Sequence, residues 1–245
     1  MLGIIGGSGL SQLANLGPIQ RRVVRTPYGE PSGPLTFGSI RGRQVAFLAR
    51  HGYGHTIAPH EVNYRANLWA LRSEGVRSVI SVSSVGGIRE GLRPGSIVIP
   101  DQIIDYTWGR AASFFQGAGE PVAHIDFTHP FTRELRMQLL DAARAAGQQV
   151  VDGGVYAATQ GPRLETAAEI DRFERDGADV VGMTGMPEAA LARELGLEYA
   201  AITVVANDAA GRGGSRQGIP LERIEEVLGE AMGRVRSIID RLVAP

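Results

Sequence analysis

Short runs rich in β-branched residues alternate along the chain with longer stretches of helical periodicity, and this alternation admits few folds. VAFLA (45–49), SVISVSS (78–84), SIVIP (96–100), VYAATQ (155–160), DVVGM (179–183) and AAITVVA (200–206) read as strands. Helices are expected over 62–74, 130–146, 164–176, 187–196 and 220–242. In PEAALARELG, Pro187 suits the first helical position and Gly196 closes the helix. Such a pattern builds a largely parallel sheet flanked by helices. No linker or low-complexity stretch interrupts it, so the expectation is a single α/β domain over residues 1–245.

Nearly every strand runs into a polar or glycine-rich cluster: ARHGYGH, SSVGG, TQGPRLET, GMTGMPE and ANDAAGRGG. Ligands of open α/β sheets bind beyond the carboxyl ends of strands, so these clusters are expected to line one mouth. The opening MLGIIGGSGL adds another, an apolar strand followed by Gly-Gly-Ser-Gly. Glycine removes the Cβ that keeps a ligand from backbone N–H groups, which suits an anion. A tight turn after an edge strand is the alternative. A dinucleotide fingerprint starting at Gly7 fails at Gln12, and a Walker A loop fails because the chain has no lysine. What remains is a small anion cradle in which Ser8 and neighbouring amides hold a phosphate.

Composition narrows the partners. With 25 basic and 26 acidic residues, a net charge of −1 and no block of like charge, neither nucleic acid nor a membrane surface has electrostatic support. The chain has no cysteine, which excludes disulfides, thiolate catalysis and Cys-bound zinc and suits a reducing compartment. The N-terminus has neither a basic leader nor a long apolar run, so no signal peptide or membrane span is expected and the location is read as cytoplasmic. A small-molecule ligand is the default.

Arg50 and His51 follow an apolar strand. A guanidinium there offers phosphate a rigid, permanently charged fork, with a surface ion pair to a carboxylate as the alternative role. Ser83 and Ser84, with Gly86 and Gly87, either add hydroxyls and amides to the same anion or serve packing. His51, His55 and His60 lack metal-ligand spacing, and HEVNY places Tyr64 where a zinc-protease helix needs its second histidine. A hydrolase elbow is missing too, because GGSGL ends in Leu10. Glu165 stands near a helix start, where a solvated first-turn acid is the plain alternative. Asn207 ends an apolar strand. Together, a carboxylate and an amide suit a heterocycle edge with adjacent donors and acceptors, as in a 6-oxopurine.

GIIGGSGL, RHGYGHTIAPHEVNYRANLWAL, SVGGIREGLRPGSIVIPDQIID, GPRLETAAEI, GADVVGMTGMPEAALARELGLEYA and VVAND occur in that order. The series resembles the trimeric purine nucleoside phosphorylase and 5′-methylthioadenosine phosphorylase family over roughly residues 2–240. The resemblance implies a twisted mixed sheet partly closed into a barrel and ringed by helices, assembled as a homotrimer. It implies phosphate on Ser8, Arg50, His51, Ser83 and Thr184, with Ser84 adding contacts. Met183 then packs beneath the ribose, Glu165 and Asn207 face the purine, and Leu221 and Ile224 lie near the 5′ group. His55 falls at that same end, and His124 matches a histidine supplied by the adjacent subunit. Arg50, His51 and Asn207 carry the chemistry, with inorganic phosphate as co-substrate and no metal or organic cofactor.

Two departures from the methylthioadenosine enzymes bear on the substrate. Asn207 and Ala209 stand where those enzymes have aspartates, which favours hypoxanthine or guanine over adenine. Leu221 and Ile224 suit a methylthio group rather than a hydroxyl. The pair resembles the branch of the family that cleaves S-methyl-5′-thioinosine to hypoxanthine and 5-methylthioribose 1-phosphate. Phosphorolysis of inosine or guanosine, or of methylthioadenosine, is the alternative, and a catalytically silent nucleoside-binding protein is the non-enzymatic one. Asp208 would reach the base if the register shifted by one residue.

Overall fold

The computed structural model describes residues 1–11, 13, 16–116 and 121–244; Gln12, where the dinucleotide fingerprint breaks, lies outside the described residues. Among these, eleven strands form one sheet: β1 (Leu2–Gly6), β2 (Gly17–Arg22), β3 (Leu35–Ile40), β4 (Arg43–Ala49), β5 (Ser78–Gly87), β6 (Ile97–Ile99), β7 (Gln102–Asp105), β8 (Val151–Asp152), β9 (Val155–Ala158), β10 (Val180–Gly182) and β11 (Glu198–Asp208). The helices are α1 (Tyr64–Ser73), α2 (Arg133–Ala145), α3 (Ala167–Arg175), α4 (Gly185–Glu194) and α5 (Leu221–Leu242). All the expected strands and helices are present; β2, β3, β7 and β8 were not foreseen. None of the helices is long and apolar enough to cross a membrane.

The sheet is mixed and branches at β5. Its first half pairs in parallel with β1, its last two residues pair antiparallel with β10, and β11 runs parallel to it along its other edge. β1 is interior rather than an edge strand, since it pairs in parallel with β4 as well as β5. Its uninterrupted apolar run follows from burial on both faces. The two-residue period of the strand sends Ile4 to one side and Ile5 to the other. Ile4 belongs to the core cluster that holds Leu139 of α2 and Leu228, Met232 and Val235 of α5, whereas Ile5 belongs to the one that holds Leu68 and Leu71 of α1 and Leu191 of α4.

The ends of the elements aim the site. β11 carries a register shift between Val205 and Asn207 against β5. An extra residue of this kind bends a strand and re-aims its side chains. α3 opens on a capping box, in which Thr166 Oγ1 accepts from the Glu169 amide at 3.1 Å and Glu169 Oε2 accepts from the Thr166 amide at 2.7 Å. Glu165 is therefore held one residue ahead of the N-cap. α4 begins its regular turns at Pro187, after the non-helical Met186, and Gly196 closes it with φ +65°.

Candidate active site

A cavity of about 450 Å³ opens where the carboxyl ends of β1, β4, β5, β10 and β11 meet. Eleven of the thirteen residues singled out from the sequence line it: Ser8, Arg50, His51, His55, Ser83, Ser84, Glu165, Met183, Thr184, Asn207 and Ile224. Leu221 and His124 do not. Leu221 is the first residue of α5 and stays 60% exposed, and Ile219 and Ile224 reach the cavity in its place. His124 is exposed, outside the cavity.

The glycine turn makes a close approach possible. A Cβ on Gly7 would stand 2.7 Å from the Val82 carbonyl and 2.8 Å from Arg50 Nη1, so only hydrogen lets this backbone lie against the guanidinium. Ser83 borders the same spot, and its hydroxyl lies 3.1 Å from that of Thr184, the N-cap of α4.

Arg50 is fully buried and paired. Its Nε donates to Glu188 Oε2 at 2.7 Å; Nη2 donates to Glu188 Oε1 at 3.0 Å and to Ser81 Oγ at 2.7 Å; Nη1 donates to the Val82 carbonyl at 3.1 Å. Glu188 Oε1 also accepts from Ser81 Oγ at 2.7 Å and from the Tyr199 hydroxyl at 2.8 Å. The ion pair weighed as an alternative for Arg50 thus exists, but in the core, and Arg50 lines the cavity as well. Burial by itself would lower the Arg50 pKa; the charge and hydrogen bonds of Glu188 outweigh it and hold the group above its ordinary value. A bidentate pair with four of the five Arg50 N–H groups hydrogen-bonded is a form in which a buried charge is tolerable.

Sequence reading passed over Glu188, Ser81 and Tyr199. The available signal was a lone carboxylate in the first turn of the otherwise apolar Pro187–Ala192 stretch, on a helix face that packs into the core.

His51 is a neutral imidazole. Its Nδ1 donates to the Ile57 carbonyl at 2.8 Å, while burial first and then the adjacent Arg50 charge push its pKa down to about 4. Nε2 is left as an acceptor, suited to a protonated oxygen such as a phosphate P–OH. The His55 ring lies 4.8 Å from that of His51 and its Nε2 is 3.4 Å from Ser8 Oγ. His55 adopts φ +52°, in the left-handed region that few non-glycine residues occupy.

On the opposite wall, Glu165 accepts from Thr159 Oγ1 at 2.6 Å, and desolvation raises its pKa. The first-turn acid of α3 is Glu169, not Glu165. The Asn207 amide group donates to the Asp208 carbonyl at 2.7 Å, and the side chain stands at the cavity. Asp208 turns away, accepting from the Gly214 amide at 2.8 Å, and does not line the cavity. Ile57, Pro59, Leu164 and Ile219 complete an apolar wall that sequence reading did not assign.

A paired cation beside a glycine cradle and two hydroxyls, a neutral imidazole, and a carboxylate and an amide lining the same cavity with apolar side chains suit an anion and a heterocycle held together. The model of the phosphorylase superfamily matches residues 1–244. The chain belongs to that superfamily. It is 51% identical over 241 residues to the probable S-methyl-5′-thioinosine phosphorylase of Pseudomonas syringae pv. tomato, covering 98% of this chain and 97% of the relative. It is 47% identical over 223 residues to the 6-oxopurine nucleoside phosphorylase of Pyrococcus furiosus, covering 88% and 82%. Methylthioadenosine phosphorylase from Schistosoma mansoni in complex with adenine superposes with a TM-score of 0.94 at 33% identity, over 99% of this chain and 90% of that one.

Proposed function

We propose that the protein catalyses phosphorolysis of S-methyl-5′-thioinosine, releasing hypoxanthine and 5-methylthioribose 1-phosphate. The observation that carries the base assignment is that Asn207 lines the cavity while Asp208 points out of it. An amide donates to a 6-oxo group and accepts from a protonated N7; a carboxylate would repel O6. Cleavage of the N-glycosidic bond places positive charge on the sugar and negative charge on the departing purine. Phosphate on Ser8, Ser83, Thr184 and the cavity edge of Arg50 stabilises the sugar cation and captures it at C1′. Asn207 and Glu165 hold the purine as charge flows into it. Ile57, Ile219 and Ile224 form the apolar end for a methylthio group. Inorganic phosphate is the only co-reactant this scheme needs, and we read the enzyme as a cytoplasmic homotrimer in which His124 is contributed across the subunit interface.

The exposure of Leu221 keeps inosine or guanosine in view as substrates, because one of the two apolar residues assigned to the 5′ group does not reach the cavity in this chain. Purine release from methylthioinosine, methylthioadenosine, inosine and guanosine, each with and without phosphate, decides among the readings. A mismatched hydrogen bond at a buried base edge discriminates up to ~10⁴-fold, whereas an apolar pocket separates methylthio from hydroxyl by only ~10². Base choice should therefore be sharper than 5′ choice, and Asn207→Asp should move preference toward the 6-aminopurine. Equal turnover of methylthioadenosine and methylthioinosine by the unaltered protein would remove Asn207 from the base-reading role.

A further inference from the structure

Two adjoining stretches at the carboxyl ends of the paired strands β9 and β10 form walls of the cavity, and they touch where the Thr159 amide donates to the Gly182 carbonyl at 2.8 Å. Thr159–Glu165 carries Glu165, and Gly182–Met186 carries Met183 and Thr184. Beyond that contact, a guanidinium from outside both of them ties the two together again. Arg110, in the chain that follows β7, donates from Nη1 to the Met183 carbonyl at 2.8 Å and the Met186 carbonyl at 2.6 Å. From Nη2 it donates to the Gln160 carbonyl at 2.8 Å and the Thr159 carbonyl at 3.1 Å, and from Nε to Gln160 Oε1 at 3.2 Å. Nη1 also lies 3.3 Å from the Tyr64 hydroxyl, with the guanidinium carbon 5.6 Å from that ring's centroid. None of these partners is a carboxylate. The charge is spent on four main-chain carbonyls that no sheet ladder satisfies.

We infer that Arg110 is the positioning residue that sets the spacing between the purine-holding wall and the ribose- and phosphate-holding wall. The inference rests on the proposed phosphorolysis for its kinetic consequence, but the clamp itself is a property of the unliganded fold. A planar fork with five fixed donors can hold carbonyls from two segments in register; an ammonium on a flexible stem cannot. Free hypoxanthine needs only one wall, whereas a reacting nucleoside and phosphate span both. A misplacement of about 1 Å between reacting groups costs ~10²-fold in rate.

The test compares Arg110→Lys and Arg110→Gln with the unaltered protein in two measurements. In the first, kcat/KM for methylthioinosine is expected to fall ~10²-fold while the dissociation constant of hypoxanthine stays within about threefold. In the second, amide hydrogen exchange of the ligand-free protein is expected to speed up together in residues 159–165 and 182–186, with β1 and β5 unchanged. Turnover within about threefold of the parent, hypoxanthine binding weakened as much as turnover, or exchange that is unchanged or faster throughout the sheet would each overturn the clamp. If the unaltered protein releases no purine with phosphate, the proposed phosphorolysis fails, and the exchange comparison still decides the role of Arg110.

Discussion

Arg50 commits four of its five N–H groups to Glu188, Ser81 and the Val82 carbonyl, leaving one on Nη1 for a ligand. Its substitution is therefore not a clean test of catalysis. Removing one partner of a buried pair strands the other charge and costs about 3–5 kcal/mol, so Arg50→Ala and Glu188→Ala should both lose turnover and unfold at markedly lower urea. Glu188→Gln keeps acceptor and shape, and should be milder in stability while raising KM for phosphate. A Glu188→Ala protein as stable as its parent would contradict this. His51 gives a pH signature. With its pKa at about 4 in the fold against the ordinary 6.5, the unfolded chain binds the extra proton between those values, so stability rises with pH across that window and falls on acidification. The full effect is on the order of 3 kcal/mol. Glu165, with a raised pKa, acts in the opposite sense, whereas Glu169, held down to about 2 by Arg163, acts in the same sense as His51 but chiefly below its ordinary value of 4.5. The comparison that isolates His51 is urea denaturation of parent and His51→Gln at pH 7 and pH 5 without phosphate. The parent should lose more. Equal losses would mean that His51 is not held neutral. Residue types at strand ends were legible because ligands gather there. The partner of Arg50 was not, because Glu188 and Arg50 lie 138 residues apart and only the packing of α4 on the sheet unites them.

Elements fix where the recognised residues point. Glu165 owes its position to the α3 capping box and to Thr159, so loosening the helix start should be felt at the base. Thr166→Ala removes one reciprocal bond at a cost of about 1 kcal/mol. It should raise KM for the nucleoside while leaving KM for phosphate nearly unchanged, measured by steady-state kinetics with each substrate varied. A change confined to phosphate would separate α3 from base binding. The long apolar strands and the amphipathic helices were readable from periodicity alone. β2 was not: GPIQRR is polar, Ile19 is 57% exposed, and the strand lies at the sheet edge with β3 as its neighbour. β8, two residues long, offers no period to read. The shift in β11 is invisible for another reason: Val-Val-Ala-Asn-Asp reads as an ordinary strand end, and only pairing against Gly86 and Gly87 shows that Ala206 is the extra residue. That shift decides which of Asn207 and Asp208 meets the cavity.

At the scale of the molecule, assembly can be read by a direct experiment. His124 and Leu221 are exposed here, and Trp108, Phe115 and Val122 expose apolar surface in the segment that also carries His124 and Arg110. A homotrimer of the kind proposed above would cover such surface and bring His124 to a neighbour's cavity. Sequence periodicity carries no information about such a contact, because an interface histidine and a solvated one have the same local pattern. Complementation between two inactive variants reads it out. Arg50→Ala is a poor partner, since it destabilises the fold; Asn207→Ala removes a side chain that only bridges to its neighbour's carbonyl. In a cyclic trimer each site takes Asn207 from one subunit and His124 from the next. Random mixing of Asn207→Ala and His124→Ala subunits in equal amounts then leaves about one quarter of sites with both residues intact, the product of two even chances. Unfolding and refolding the mixture together should therefore recover about a quarter of parental activity, while mixing the folded proteins without exchange should recover none. Full activity of His124→Ala by itself, or no recovery after co-refolding of variants that each form trimers, would place His124 outside the site.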